Sequence, residues 1–292
     1  MQFTKATRKK AKLRLALTGP SGSGKTYSAL LLAKGLGGRI AVIDTEHDSA
    51  SLYAGRAEMP EFEALNLAPP FTPERFIEAV QAAEAGGFNV LILDSITHEW
   101  NGAGGCLELV DEIARARFKG NSWSAWNEVT PRHRDFLDAL LRSPLHIIAT
   151  MRSKTETAQT EENGRKKVVK LGMKSEQRDG FEYEMTVVLD LVHDGHFATA
   201  TKDRTGLFAH TDPKPITDET GKELLRWLEQ GESSPDVTAI VRGISGSATV
   251  DVLKANYEAA LQMLPETHHA VITKAKNSRY RELVPKHPEH AE

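Results

Sequence analysis

Apolar and polar positions along this chain alternate between two periods. Leu13-Arg14-Leu15-Ala16-Leu17 sets apolar against small or charged residues until Gly19-Pro20 interrupts it, which predicts a strand entering a loop. Residues 25–36 carry apolar positions at helical spacing and stop at Gly37-Gly38, predicting a helix with a glycine terminus. Arg39-Ile40-Ala41-Val42-Ile43 reads as a short buried strand. Thr72-Pro73-Glu74 opens a helix that runs to Gly86-Gly87, and Val90–Leu93 is another buried strand. A helix near 129–142 feeds the apolar strand Leu145–Ala149. Strands separated by helices imply an α/β fold, with a mostly parallel central sheet covered on both faces.

After residue 180 the pattern changes. Glu184–Val192 and Phe197–Thr201, joined by His193-Asp194-Gly195-His196, read as a β-hairpin extension, and a helix around 218–229 closes the core. Gly231-Glu232-Ser233-Ser234-Pro235-Asp236 has linker composition. The expected organisation is therefore a core over 1–230 with a basic arm at 1–12, a linker at 231–236, and a small helical segment over 237–292. That segment reads as two short helices, of which Thr249–Met263 is the clearer. A length of 292 residues suits one large domain with an appendage.

Composition narrows the class. The chain is 40% hydrophobic and 26% charged, ordinary for a protein with a substantial core, and holds no apolar run of membrane-spanning length. The expectation is a cytoplasmic protein with no membrane partner. One cysteine, Cys106, excludes an internal disulfide framework and a thiolate cluster. The histidines show no ligand spacing, so no metal beyond nucleotide-bound Mg²⁺ is expected. The net charge of -3 argues against a globally basic nucleic-acid binder, but the charge is uneven. Residues 1–18 carry six basic side chains and no acidic one. Residues 152–178 carry eight basic (Arg152, Lys154, Arg165, Lys166, Lys167, Lys170, Lys174, Arg178) against four acidic, a local +4. Such segments are either solvated surface or local polyanion contacts.

The chemistry concentrates after the first strand. Gly19-Pro20-Ser21-Gly22-Ser23-Gly24-Lys25-Thr26 fits the phosphate-binding loop G-x-x-x-x-G-K-[ST] in its strand–loop–helix setting. Its glycines let successive N–H groups turn toward a phosphate chain, and the helix N-terminus adds partial positive charge. Lys25 is expected to reach the β- and γ-phosphates, and the Thr26 hydroxyl to ligate Mg²⁺. Asp94, at the end of a buried strand, is the expected second metal carboxylate. No Asn-Lys-x-Asp element for guanine is present, which favours ATP. Glu46, after the strand Ile40–Ile43, is the candidate for activating water, with Glu99 a weaker alternative.

These segments also resemble a family. Ile43-Asp44-Thr45-Glu46-His47 with Leu52-Tyr53-Ala54, the strand Val90-Leu91-Ile92-Leu93-Asp94-Ser95, and Thr201-Lys202-Asp203-Arg204 are similar in order and spacing to bacterial RecA recombinases over residues 11–212. The short core more closely resembles the phage-encoded RecA-like single-strand annealing ATPases. The resemblance implies a RecA-type P-loop ATPase core and makes Glu46 the water-activating glutamate. It also makes Tyr53 the aromatic that stacks on adenine. It implies that Lys202 and Arg204 reach the γ-phosphate of a neighbouring subunit. Segment 152–178 becomes a DNA-binding loop, with Arg152, Lys154, Arg165, Lys166, Lys167, Lys170 and Lys174 as its contacts. The implied partners are single-stranded DNA, further copies of the chain in a ring or filament, and a single-stranded-DNA-binding protein. Thr150 stands where the family has a glutamine, and Ala50 where it has an adenine-contacting aspartate.

The resulting expectation is a Mg²⁺-dependent ATPase, slow and DNA-stimulated, that binds single-stranded DNA and promotes annealing or homologous recombination in a phage. Two alternatives stay open. One is a DNA-translocating helicase-loader or packaging motor. The other is a nucleotide-dependent regulatory or assembly protein that never touches DNA. Trp123 and Trp126, three residues apart, are read as core in preference to a base-stacking surface.

Overall fold

The computed structural model describes residues 7–162, 165–209, 211–232, 235, 237–264 and 268–284, and for 155–173 the backbone alone. The chain divides into two compact units, one spanning Ala11–Gln230 and one grouping the first ten residues with Gly231–Glu292.

In the larger unit the elements run β1 (Arg14–Gly19), α1 (Lys25–Leu36), β2 (Ile40–Asp44), β3 (Glu63–Asn66), α2 (Pro73–Ala85), β4 (Val90–Asp94), α3 (Thr97–Asn101), α4 (Cys106–Arg117), α5 (Ser122–Arg142), β5 (His146–Glu162), β6 (Arg165–Ser175), α6 (Phe181–Glu184), β7 (Val187–Leu191), β8 (Phe197–Asp203), β9 (Lys214–Pro215) and α7 (Asp218–Glu229). The sheet order is β3-β2-β4-β5-β1-β7-β8-β9, with β6 paired to β5 alone. The pairings from β3 across to β7 are parallel, and β8 and β9 add antiparallel. The α/β core with a mostly parallel sheet is as expected.

Alternation along the strands explains the layering. Leu15, Leu17, Val42, Val90 and Ile92 point to one face, where they pack with α1 residues and with Leu224 and Leu228 of α7. Ala16, Ala41, Ile43, Leu91 and Leu93 point to the other, against Phe76 of α2 and Phe136 and Leu140 of α5. A period of two in a strand with both faces covered yields such a near-continuous apolar run. Phe76 and Phe136 meet edge to face at 5.5 Å, and truncating either to alanine should cost about 3–5 kcal/mol.

Two readings are corrected. The segment 152–178 is not a loop: β5 continues to Glu162 and returns as β6, an antiparallel ribbon with Ser153 opposite Ser175 and Glu162 opposite Arg165. Its Thr and Val content favours extended backbone over a coil. The expected hairpin is present, and its first strand, β7, lies parallel beside β1 in the main sheet before turning into β8. The helix near 129–142 starts earlier, at Ser122, where the Asn121 side chain accepts from the amides of Trp123 and Ser124 and caps it.

Arg14 belongs to β1, not to a solvated arm. Its buried guanidinium donates to the carbonyls of Leu13 (2.8 Å), Leu145 (2.7 Å), Leu141 (3.0 Å) and Ser143 (2.5 Å), satisfying groups left unpaired where α5 ends. Lys5 lies outside the described residues.

In the smaller unit, Glu232 exchanges backbone hydrogen bonds with Arg8 (2.8 Å) and Lys10 (2.9 Å). Three helices rather than two follow: α8 (Val237–Ser245), α9 (Val250–Met263) and α10 (His269–Leu283). They bury Ile244, Leu253, Ala260, Leu264 and Ile272. Of the expected linker, residues 233, 234 and 236 lie outside the described residues. Among the described residues, no helix is long and apolar enough to cross a membrane.

Candidate functional site

Parallel pairing gathers the C-terminal ends of the strands at one edge, and the register fixes which residues meet there. Gly19 of β1 pairs with Arg152 of β5, and Asp44 of β2 with Asp94 of β4. The loop 19–26 follows β1 directly. Gly22 (φ 79°) and Gly24 (φ 88°) hold left-handed backbone, which other residues adopt at a cost, and Gly24 begins α1. The Lys25 ammonium donates to the Gly19 (2.9 Å) and Pro20 (2.8 Å) carbonyls. Burial lowers its pKa, opposed by Asp94 and Glu46 and assisted by Arg152.

Asp94 is buried. It accepts from Thr26 Oγ1 (2.6 Å) and Thr150 Oγ1 (2.5 Å). Burial raises the Asp94 pKa, with Glu46 and Asp44 adding to the rise and the two hydroxyls opposing it. A buried carboxylate held up by its surroundings gains most from a nearby cation. The hydroxyl and carboxylate oxygens supply the hard donors that suit Mg²⁺.

Two side chains hold Glu46. The Arg152 guanidinium pairs with both its oxygens, Nε to Oε1 at 3.0 Å and Nη2 to Oε2, and Ser95 Oγ donates to Oε1 at 3.2 Å. Burial alone would raise its pKa, but Arg152, with His98 and Ser95, more than offsets that and holds the carboxylate below its usual range. Asp44 builds the turn beneath, accepting from the amides of Glu46 (2.6 Å) and Ala50 (2.9 Å).

Lys25, Thr26, Glu46, Tyr53, Asp94 and Arg152 line one cavity of about 150 Å³. A larger cleft of about 850 Å³ lies beside Lys174, Tyr183 and Lys202, but the phosphate-binding loop does not line it. The chemistry favours the smaller cavity. Tyr53 is half-buried, 5.8 Å edge-on from Tyr27, with the Arg56 guanidinium 4.7 Å above its ring.

A family model described as an AAA domain matches residues 11–215. The chain belongs to this AAA domain family. It is a P-loop NTPase by the loop, strand and cavity just described. Among solved structures, the AAA-domain chain is similar to the crystal structure of the RadB recombinase, at 19% identity and a TM-score of 0.36, covering 70% of this chain and 88% of that one. No curated protein matches it.

Other expected site residues of this AAA-domain protein fall elsewhere. Lys202 Nζ donates to the carbonyls of Glu182 (2.8 Å) and Tyr183, and Arg204 Nη2 to that of Tyr183 (2.9 Å), at the end of α6. Lys154 pairs with Glu176 at 3.4 Å and Lys174 with Asp179 at 2.9 Å, both at the base of the ribbon. Arg165, Lys166, Lys167 and Lys170 lie on β6, and their side chains fall outside the described residues. Glu99 does not line the cavity. Its carboxylate is buried against Cys106 and His133. Trp126 is partly buried and stacks on Trp100 at 5.5 Å, but Trp123 is 85% exposed, against its reading as core.

Sequence reasoning missed two features of the site. Arg152 looked like one charge in a basic run, although the end of any strand beside β1 must open onto the phosphate loop. His196, in the β7–β8 turn, packs against that loop and donates from Nδ1 to the Ser23 carbonyl at 3.1 Å, which fixes its tautomer.

Proposed function

We infer that the protein binds and hydrolyses ATP with Mg²⁺, binds single-stranded DNA, and promotes strand annealing in recombination of the phage-encoded RecA-like kind. The supporting observation is that one strand joins the nucleotide cavity to the basic ribbon. At β5 residue 152 the chain leaves the nucleotide cavity, where Arg152 holds Glu46, and continues into the basic ribbon.

In this reading the amides of 19–26 and Lys25 hold the phosphates, and Tyr53 supports the adenine ring. Thr26 and Asp94 would hold Mg²⁺, which supplies charge neutralisation between the β- and γ-phosphates. Glu46 accepts a proton from water, and its depressed pKa keeps it ionised for that task at neutral pH. The ribbon carries DNA phosphates on Lys154, Arg165, Lys166, Lys167, Lys170 and Lys174. In a homo-oligomer, ring or filament, Lys202 and Arg204 exchange their carbonyl partners on α6 for the phosphate of a neighbour.

The test measures single-strand affinity against salt, with and without ATP, alongside DNA-stimulated hydrolysis and particle mass. Neutralising Arg165, Lys166, Lys167 and Lys170 together should reduce the log–log salt slope by about 3. An unchanged slope, with hydrolysis indifferent to DNA, would sink the DNA reading and favour a regulatory or assembly ATPase. Processive ATP-driven movement along DNA would favour a motor.

A further inference from the structure

Five residues beyond Asp94 the chain builds a second polar centre with different chemistry. Glu99 of α3, Cys106 at the first position of α4 and His133 of α5 are 0%, 0% and 2% exposed, inside an apolar cluster of Val110, Ala125, Val129 and two tryptophans. Cys106 Sγ lies 3.0 Å from Glu99 Oε1, His133 Nδ1 lies 2.9 Å from Oε1 and 3.2 Å from Oε2, and Sγ and Nδ1 are 4.0 Å apart. Gln177 Nε2, which donates to the Ile96 carbonyl at 3.1 Å, is 3.4 Å from Glu99 Oε2.

Two features set this centre apart from an ordinary buried hydrogen bond. First, its separations are close to those around a tetrahedral dication. Metal–ligand lengths of about 2.3 Å to sulfur and about 2.0–2.1 Å to nitrogen and oxygen place neighbouring donors about 3.3–3.6 Å apart. Each donor here needs to move by only a few tenths of an ångström. Second, the charges would balance around a dication. A fully buried carboxylate is costly without a compensating partner, and no lysine or arginine pairs with Glu99 among the described residues. Carboxylate, thiolate, neutral imidazole and a dication sum to zero.

We propose that Glu99, Cys106 and His133 form a Zn²⁺ site that clamps α3, α4 and α5 behind the nucleotide edge. Thiolate, imidazole and carboxylate together favour zinc over magnesium or calcium. Glu99 would chelate through both oxygens, whose narrow bite makes the four-donor set a distorted one, and Gln177 steadies that carboxylate from outside. Loading displaces the thiol proton of Cys106 to solvent and leaves the metal oxidation state unchanged. The site is structural, because its burial leaves no open position for substrate.

The test is metal content and cobalt spectroscopy on the untagged full chain, without nucleotide. As-purified protein should carry one zinc per chain. After removal of bound metal, Co²⁺ should give the visible bands of a distorted four-coordinate site and a near-ultraviolet thiolate-to-cobalt band. Since the chain has a single cysteine, that band can arise only from Cys106. Cys106→Ser should abolish the band, and Gln177→Ala should weaken metal affinity about tenfold. Quenching of Trp100, 5.6 Å from the His133 ring, should track loading. Wild-type protein that holds no stoichiometric zinc and gives no thiolate band would overturn the proposal, whatever the variants do. The triad would then be a Glu–His ion pair with a neutral thiol.

Discussion

Asp94 and Glu99 stand five residues apart and make opposite use of a buried carboxylate. Asp94 meets the hydroxyls of Thr26 and Thr150 at the edge of a cavity, where the donors are hard oxygens and the phosphate loop adjoins. Glu99 meets sulfur and imidazole inside an apolar helix cluster. The turn of α3 separates a centre open to an exchanging ligand from one sealed against it. Burial and acidity alone do not assign a role to a carboxylate; the donors beside it and the access to it do.

The largest effect should come from the open centre. Lys25→Ala removes the cation proposed to hold the phosphates, and hydrolysis should fall by about a hundredfold or more with thermal stability nearly unchanged. A variant that still turned over at a comparable rate would break the distinction. The sealed centre should behave in reverse. Glu99→Ala strands the Cys106 and His133 polar groups, and chemical denaturation should register a loss of about 1–3 kcal/mol, whereas nucleotide affinity of the folded fraction stays near wild type.

A smaller effect separates holding Glu46 from using it. Arg152 offsets the burial that would raise the Glu46 pKa. Hydrolysis that needs ionised Glu46 is present above its pKa and lost as pH falls through it. Arg152→Ala should therefore move the acid limb of the rate profile to higher pH, and an unmoved limb would show that the proton acceptor is another group.

The smallest effect lies at the far end of β5. His146 Nδ1 accepts from the Leu13 amide at 3.1 Å, and burial, with Lys12 and Arg14 nearby, lowers its pKa from 6.5 to about 4. A depressed histidine leaves stability intact above the unfolded pKa and erodes it as pH falls from about 6.5 toward 4. His146→Asn keeps an acceptor near the Nδ1 position, and melting between those limits should lose that part of its pH dependence.

Legibility followed contiguity. The phosphate loop is eight consecutive residues whose spacing encodes its shape, and α7 occupies the expected 218–229 because its apolar stripe and Thr217 cap are local. The Cys106–Arg117 helix escaped notice, lying in a long insertion between β4 and β5 with charges throughout its polar face. Arg152 was concealed by a charge run, since a strand that outlasts the sheet looks like a loop when its tail is polar. The Glu99 cluster brings together residues 7, 27 and 34 positions apart, and no short motif spans three helices.

The margins of the sheet bear on self-association. One ends at β3, four residues that are exposed throughout, with Glu63 tied to Arg39 at 2.6 Å. The other ends at β9, two residues that include Pro215, which has no amide proton to offer. Short, charged or proline-bearing borders are poor templates for strand-to-strand growth. Among the described residues, these two borders therefore disfavour growth of the central sheet from one copy of the chain into another.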